Sequence, residues 1–149
     1  MDRGMFGSAD FARVPPNLTV NLPKRLLHAG VLSSAASAGR AFSQERKHLV
    51  CMVELPSQTL SMTIGGLEPG QTTRRHRHNY ETIIYVLKGT GVSLIEDQEV
   101  RWCAGDALYV PVWAWHQHIN LSDAERALYV ACENAPMLQN LGIALREEA

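Results

Sequence analysis

Cysteine is scarce: Cys51, Cys103 and Cys132 are the three in 149 residues, widely spaced and never in a CxxC pair. That excludes a thiolate zinc site and a dense disulfide scaffold. It leaves them as buried small hydrophobes in a reducing cytoplasm, with a catalytic thiol as the alternative. Excess charge is missing too, with 14 Lys+Arg against 15 Asp+Glu. Without a basic surplus to neutralise phosphates, nucleic acid is not expected as a main partner. The one basic cluster, Arg74, Arg75 and Arg77, is interleaved with histidines. No apolar run approaches the roughly 20 residues of a membrane helix. Residues 1–10 carry Gly, Ser and acids where a secretory leader needs an apolar stretch, so the expected location is cytoplasmic, with no membrane partner. Apolar residues at 46% and charged residues at 19% suit one globular domain with a real core.

Along the chain, residues 1–47 read as an N-terminal arm and a short helix. Gly4, Gly7 and Pro15-Pro16 break the arm. Asn21 is placed to cap a helix with Pro23 in its first turn and Leu26, Leu27 and Leu32 on one side. The Ser33–Gly39 stretch ends that helix or links it onward. Residues 48–133 differ in texture, with short runs rich in Val, Ile, Tyr and Thr between turns. These are 48–55, 59–67, 82–87, 91–96, 107–110, 115–120 and 127–132. Their length and spacing predict an all-β sandwich or barrel. Residues 134–149 form a tail in which Leu138, Leu141 and Leu145 share a face, predicting a C-terminal helix.

Four of the six histidines fall in two pairs, His76-x-His78 and His116-x-His118. On a strand, residues two apart point to the same face, so each pair can aim both rings at one point inside a barrel. Neutral imidazole is a common ligand for Fe, Zn, Cu and Ni, which makes a metal site the chemical expectation. The pairs alone equally allow histidines satisfied by structural hydrogen bonds.

The spacing around them is more specific. Gly70 precedes His76-Arg77-His78 by five residues, and Gly89 closes the following strand. Later come Gly105, Pro111, His116 and Asn120, separated by five, four and three residues. These stretches resemble the two motifs of the cupin family, G-x5-HxH-x3/4-E-x6-G and G-x5-PxG-x2-H-x3-N. Trp113 stands where the second motif has Gly, and Thr82 where the first has its Glu. The resemblance implies an all-β jelly-roll barrel in which His76, His78 and His116 hold one divalent metal. Glu81 neighbours the Glu position, but strand alternation turns it away from the face of His78. It becomes a ligand only if a bulge re-aims it.

The segment from Pro111 to Asn120, PVWAWHQHIN, resembles the W-x-W-H-x-H-x-N stretch of gentisate and 1-hydroxy-2-naphthoate dioxygenases, and His76-Arg77-His78 matches their HRH. Those ring-cleaving cupins use Fe(II), O2 and three histidines. The resemblance therefore implies a dioxygenase with Fe(II) favoured, with Mn, Ni or Zn as alternatives. Its substrate would be a small hydroxylated aromatic or enolisable dicarbonyl compound. His118 and Tyr80 are the candidate catalytic groups. Trp113, Trp115, Arg74, Thr82 and Ile84 are the candidate substrate contacts. The family carries Arg where this chain has Ile84, and its members are generally two-cupin chains of more than twice this length. Cupin association implies a homodimer. Two other readings stay open: a metal-assisted isomerase, decarboxylase or lyase working without O2, and a non-catalytic small-ligand-binding cupin.

Overall fold

The computed structural model of the protein describes residues 16–33 and 38–149, so Gly4, Gly7 and Pro15 lie outside the described residues. The described chain runs as α1 (Ala38–Arg46), β1 (Leu49–Met52), β2 (Ser61–Leu67), β3 (His76–His78), β4 (Thr82–Lys88) and β5 (Thr90–Ile95). It continues as β6 (Gln98–Cys103), β7 (Ala107–Val110), β8 (His116–Asn120), β9 (Ala127–Glu133), α2 (Ala135–Asn140) and β10 (Arg146–Glu148). The strands make two antiparallel five-stranded sheets, ordered β1-β2-β9-β4-β7 and β10-β3-β8-β5-β6. Neighbours in space are mostly distant in sequence, which is jelly-roll connectivity and agrees with the expected cupin barrel. No described helix is long and apolar enough to cross a membrane.

Alternation along the strands builds the core. In β4, Thr82, Ile84 and Val86 turn inward while Ile83, Tyr85 and Leu87 stay exposed. In β9, Ala127, Tyr129 and Ala131 face the same interior. With Leu67, Trp102, Leu108 and Val110 they form one apolar cluster. Each fully buried aliphatic side chain contributes about 1.5–3 kcal/mol. Gly89 turns β4 into β5 with φ of +88°, and a Cβ there would lie 2.9 Å from the Ala127 Cα. A side chain is excluded on both counts.

Four expectations need correction. The helix expected from Asn21 through Leu32 does not form; residues 18–28 lack regular structure. Leu26 and Leu27 are 67% and 73% exposed, and a short helix with no surface to bury its leucines against is marginal in water. The N-terminal helix is α1 instead, beginning within the Ser/Ala/Gly stretch read as a linker. The C-terminal helix stops at Asn140, because Gly142 adopts φ of +73° and the chain then pairs along β3 as β10. Of the cysteines, Cys51 is buried as expected, but Cys103 is exposed and Cys132 half-buried.

Candidate metal centre

β3 and β8 lie side by side, and their register sets His76 directly opposite His116. His78 is two residues along β3 and shares the face of His76. Ring centroids are 4.2 Å apart for His76–His116, 4.8 Å for His78–His116 and 5.6 Å for His76–His78. One ligand nitrogen from each of the three lies within 4.8 Å of the others.

One device orients all three rings. The Nδ1–H of His76 donates to the Arg74 carbonyl at 2.9 Å, that of His78 to the Tyr80 carbonyl at 2.8 Å, and that of His116 to the Ala114 carbonyl at 2.8 Å. A carbonyl only accepts, so each ring carries its proton on Nδ1 and leaves the Nε2 lone pair free. Burial disfavours the charged imidazolium. For His76 and His78, burial first and the nearby His116 second lower the pKa to about 3 and about 4. Burial likewise lowers that of His116. Three neutral imidazoles with converging lone pairs are what a divalent ion requires of its ligands, so the residues fit a metal.

His118 is built differently. Its Nδ1 lies 2.7 Å from the Ser93 hydroxyl, which also accepts the Trp102 Nε1–H at 3.0 Å. A hydroxyl has one proton and two lone pairs, so Ser93 can donate to His118 Nδ1 or accept Nδ1–H from it while accepting from Trp102. Burial holds its pKa well below the ordinary histidine value. This ring is a neutral imidazole anchored on a side chain, beside three anchored on main-chain carbonyls.

The histidines line a cavity of about 300 Å³ between the sheets. Three guanidiniums, of Arg46, Arg74 and Arg146, share its wall with two carboxylates, Glu133 and Glu148.

Residues 64–132 match the cupin domain family. The match takes in both histidine pairs. Among curated relatives, 5-aminosalicylate 1,2-dioxygenase of Comamonas sp. is 37% identical over 91 residues, 61% of this chain and 24% of the relative. Gentisate 1,2-dioxygenase 1 of Aquipseudomonas alcaligenes is 30% identical over 107 residues, 66% of this chain and 28% of the relative. The chain thus spans about a quarter of the length of these relatives. Among solved structures, salicylate 1,2-dioxygenase from Pseudaminobacter salicylatoxidans superposes with a TM-score of 0.63 at 24% identity, over 67% of this chain and 31% of that one. Its adduct with gentisate gives 0.65 at 24% identity, over 78% and 33%. At that identity the likeness speaks for the fold.

Tyr80 stacks on His78 with ring centroids 3.8 Å apart and planes within 2°. Burial raises its pKa to about 12, so it remains a phenol at neutral pH. Thr82 and Ile84 are buried and line the cavity. The Thr82 hydroxyl donates to Glu133 at 3.3 Å. Arg74 also lines the cavity, but it is tied to Glu148 at 2.5 Å and to the Glu45 carbonyl at 2.9 Å. Glu81 faces outward and accepts the Tyr109 hydroxyl at 2.8 Å, as strand alternation required.

The tryptophans are not brought to the histidines. Trp113 and Trp115 each lie 4.5 Å from the Arg77 guanidinium, holding it between them, and neither lines the histidine cavity. Trp113 occupies the motif's Gly position with φ of +64°, a conformation that costs a non-glycine residue about 1–2 kcal/mol. Asn120 is buried; its Nδ2 donates to the carbonyls of Leu67, Glu68 and Glu125, and its Oδ1 accepts from Ser122 N–H. That explains structurally why the second motif ends on Asn.

Sequence reasoning missed Arg46, Arg146, Glu133, Glu148 and His48 on the cavity wall. Glu133 had a signal, because it continues the inward alternation of Tyr129 and Ala131. Arg146 and Glu148 had none while the tail was read as a helix.

Proposed function

We propose that this cupin is an Fe(II)-dependent dioxygenase that opens the ring of a small hydroxylated aromatic acid, with an enolisable dicarbonyl compound as the related alternative. The observation carrying this reading is the set of three neutral imidazoles, two buried and one half-buried, whose free Nε2 lone pairs converge on one cavity. Three neutral ligands leave an ion's full positive charge and its remaining positions for an anionic, bidentate ligand. The bound metal supplies redox and Lewis-acid chemistry for reaction with O2. In the overall reaction an aromatic C–C bond and the O–O bond break, and both oxygen atoms enter the product. The substrate supplies the electrons, so no external reductant is needed. The names of the relatives support the same class: 5-aminosalicylate, gentisate and 1-hydroxy-2-naphthoate dioxygenases.

The chain's own groups have separable tasks. His76, His78 and His116 hold the metal. His118, anchored on Ser93, orients an oxygen of the substrate or exchanges a proton with it. Tyr80 braces His78 by stacking and offers a phenolic O–H on the cavity wall. Ile84 and Thr82 shape the floor beneath the ring. The exposed Ile83, Tyr85 and Leu87 of β4, with Tyr109 of β7, support a homodimer through this outer sheet face.

Anaerobic reconstitution with Fe(II), followed by O2 electrode measurements with salicylate, gentisate, 5-aminosalicylate, 1-hydroxy-2-naphthoate and acetylacetone, tests the reading. Uptake with at least one substrate is expected, and its loss in His76→Ala. No uptake across the panel would overturn it. Turnover without O2 in the Zn(II) protein would replace it with a Lewis-acid isomerase, decarboxylase or lyase.

A further inference from the structure

β3 is three residues long and carries two of the three candidate metal ligands. Its ladder to β8, which carries the third, is the single pair His76↔His116. On its other side runs β10, itself only three residues long. One ladder pair fixes the spacing of two ligand-bearing segments weakly, because a backbone hydrogen bond contributes little net stability.

Between the two ligands of β3 sits Arg77, which strand alternation turns to the opposite face, away from the cavity. Its guanidinium carbon stands 4.5 Å from the ring centroids of both Trp113 and Trp115, inside the range of a cation–π contact. Its Nε and Nη2 both reach Glu147 Oε2 of β10, at 2.7 and 2.6 Å. Arg75 adds a second guanidinium over the Trp115 ring at 5.3 Å. One side chain thus joins three segments behind the histidines: β3, β10 and the turn that leads into β8.

That turn bears directly on the third ligand. Trp113 and Trp115 bracket Ala114, whose carbonyl orients His116, and Trp115 immediately precedes His116. The Trp113 N–H also donates to the His78 carbonyl at 2.7 Å. Trp113 holds a left-handed φ of +64°, which glycine would adopt without strain. The residue is 38% exposed, so burial is not what retains a large ring there. Strain of this kind persists where contacts over-determine it, and the contact with Arg77 is one the ring alone supplies.

We propose that Arg77 is a positioning residue of the histidine centre: clamped by Trp113 and Trp115, it sets the spacing between the His76–His78 strand and His116 from outside the cavity. This rests on the reading of the three histidines as a metal site and is independent of the reaction performed there. Arg77 acts through the backbone on either side of it. A guanidinium suits the task because it is planar, stacks on aromatic faces and keeps its fork for a carboxylate; lysine offers the charge alone.

Zinc affinity of the metal-free protein, measured by competition with a chromogenic chelator, tests this without turnover. The Co(II) absorption spectrum reports ligand geometry. Arg77→Gln is expected to weaken zinc binding roughly 10- to 100-fold, the range for loss of a group that supports a metal ligand, and to shift the Co(II) bands. Arg77→Lys should recover part of the affinity. Trp113→Asn removes one face of the clamp with a residue that tolerates the left-handed backbone, and it should also weaken zinc. Arg101→Gln, which loses an exposed ion pair with Glu99, is the control and should change zinc affinity by less than about threefold. Wild-type zinc affinity in both Arg77→Gln and Trp113→Asn would overturn the inference. So would weaker zinc binding with an unshifted Co(II) spectrum and a matching fall in the denaturant midpoint of the metal-free protein, the mark of general destabilisation. If Arg77→Gln does not fold, Arg77→Lys and Trp113→Asn carry the test. A wild type that binds neither ion sinks the metal reading and this inference together; tight wild-type binding that the variants leave intact sinks this inference alone.

Discussion

The two histidine pairs share spacing and strand geometry, yet the molecule anchors them differently. In the β3 pair both rings give their Nδ1 proton to a peptide carbonyl and keep Nε2 as a lone pair. In the β8 pair His116 does the same, whereas the Nδ1 of His118 meets the Ser93 hydroxyl, a group that both donates and accepts. The difference is set entirely by what lies behind each ring. A carbonyl holds the ring proton on Nδ1 and frees Nε2 for a metal, and a hydroxyl, with one proton and a second lone pair besides the one Trp102 uses, accepts either tautomer.

The sharpest break of this contrast is a pair of substitutions on β8. His116→Ala should reduce metal affinity by at least about 100-fold, whereas His118→Gln should stay within roughly tenfold of wild type while slowing O2 uptake. Metal analysis after dialysis at fixed free Fe(II) separates the two. Equal metal loss would mean that His118 is a fourth ligand.

Acid tests the buried neutral state. His76 and His78 titrate near the ordinary 6.5 when unfolded and at about 3 and about 4 when folded, so below pH 6.5 the unfolded chain binds more protons. Stability is therefore full above pH 6.5 and falls as pH drops toward 4, by about 1.4 kcal/mol per pH unit for each histidine. Denaturant melts of the metal-free protein at pH 7.5, 6 and 5 measure this; a flat midpoint would contradict it.

The smallest effect expected is from Ser93→Ala. It leaves the Trp102 Nε1–H and His118 Nδ1 without their partner, costing about 1–3 kcal/mol. It should also slow turnover more than it lowers metal content. Unchanged kinetics in a stably folded variant would separate Ser93 from the chemistry of His118.

Legibility in the sequence followed how local the signal was. β4 and β9 were readable because alternation of Val, Ile, Tyr and Ala survives in a half-buried strand. The histidine triad was readable because two spacing motifs coincide. β3, β6 and β10 were not: HRH, QEVRWC and REE carry almost no apolar alternation, and they are strands because of the neighbours they pair with. The same tertiary cause hid Arg146 and Glu148, whose side of the sheet depends on a register with β3. The tryptophans misled for a related reason. Their aromatic faces found Arg77, a partner that adjacency in sequence does not disclose.

The carbonyl device behind the three ligand rings has a consequence for how such a centre can evolve. Its acceptors belong to the main chain at Arg74, Tyr80 and Ala114, and every amino acid has that oxygen. No point substitution at those positions deletes the orienting group. The socket is insulated from drift in its own lining, and the cavity wall is free to change substrates while the ring orientations persist.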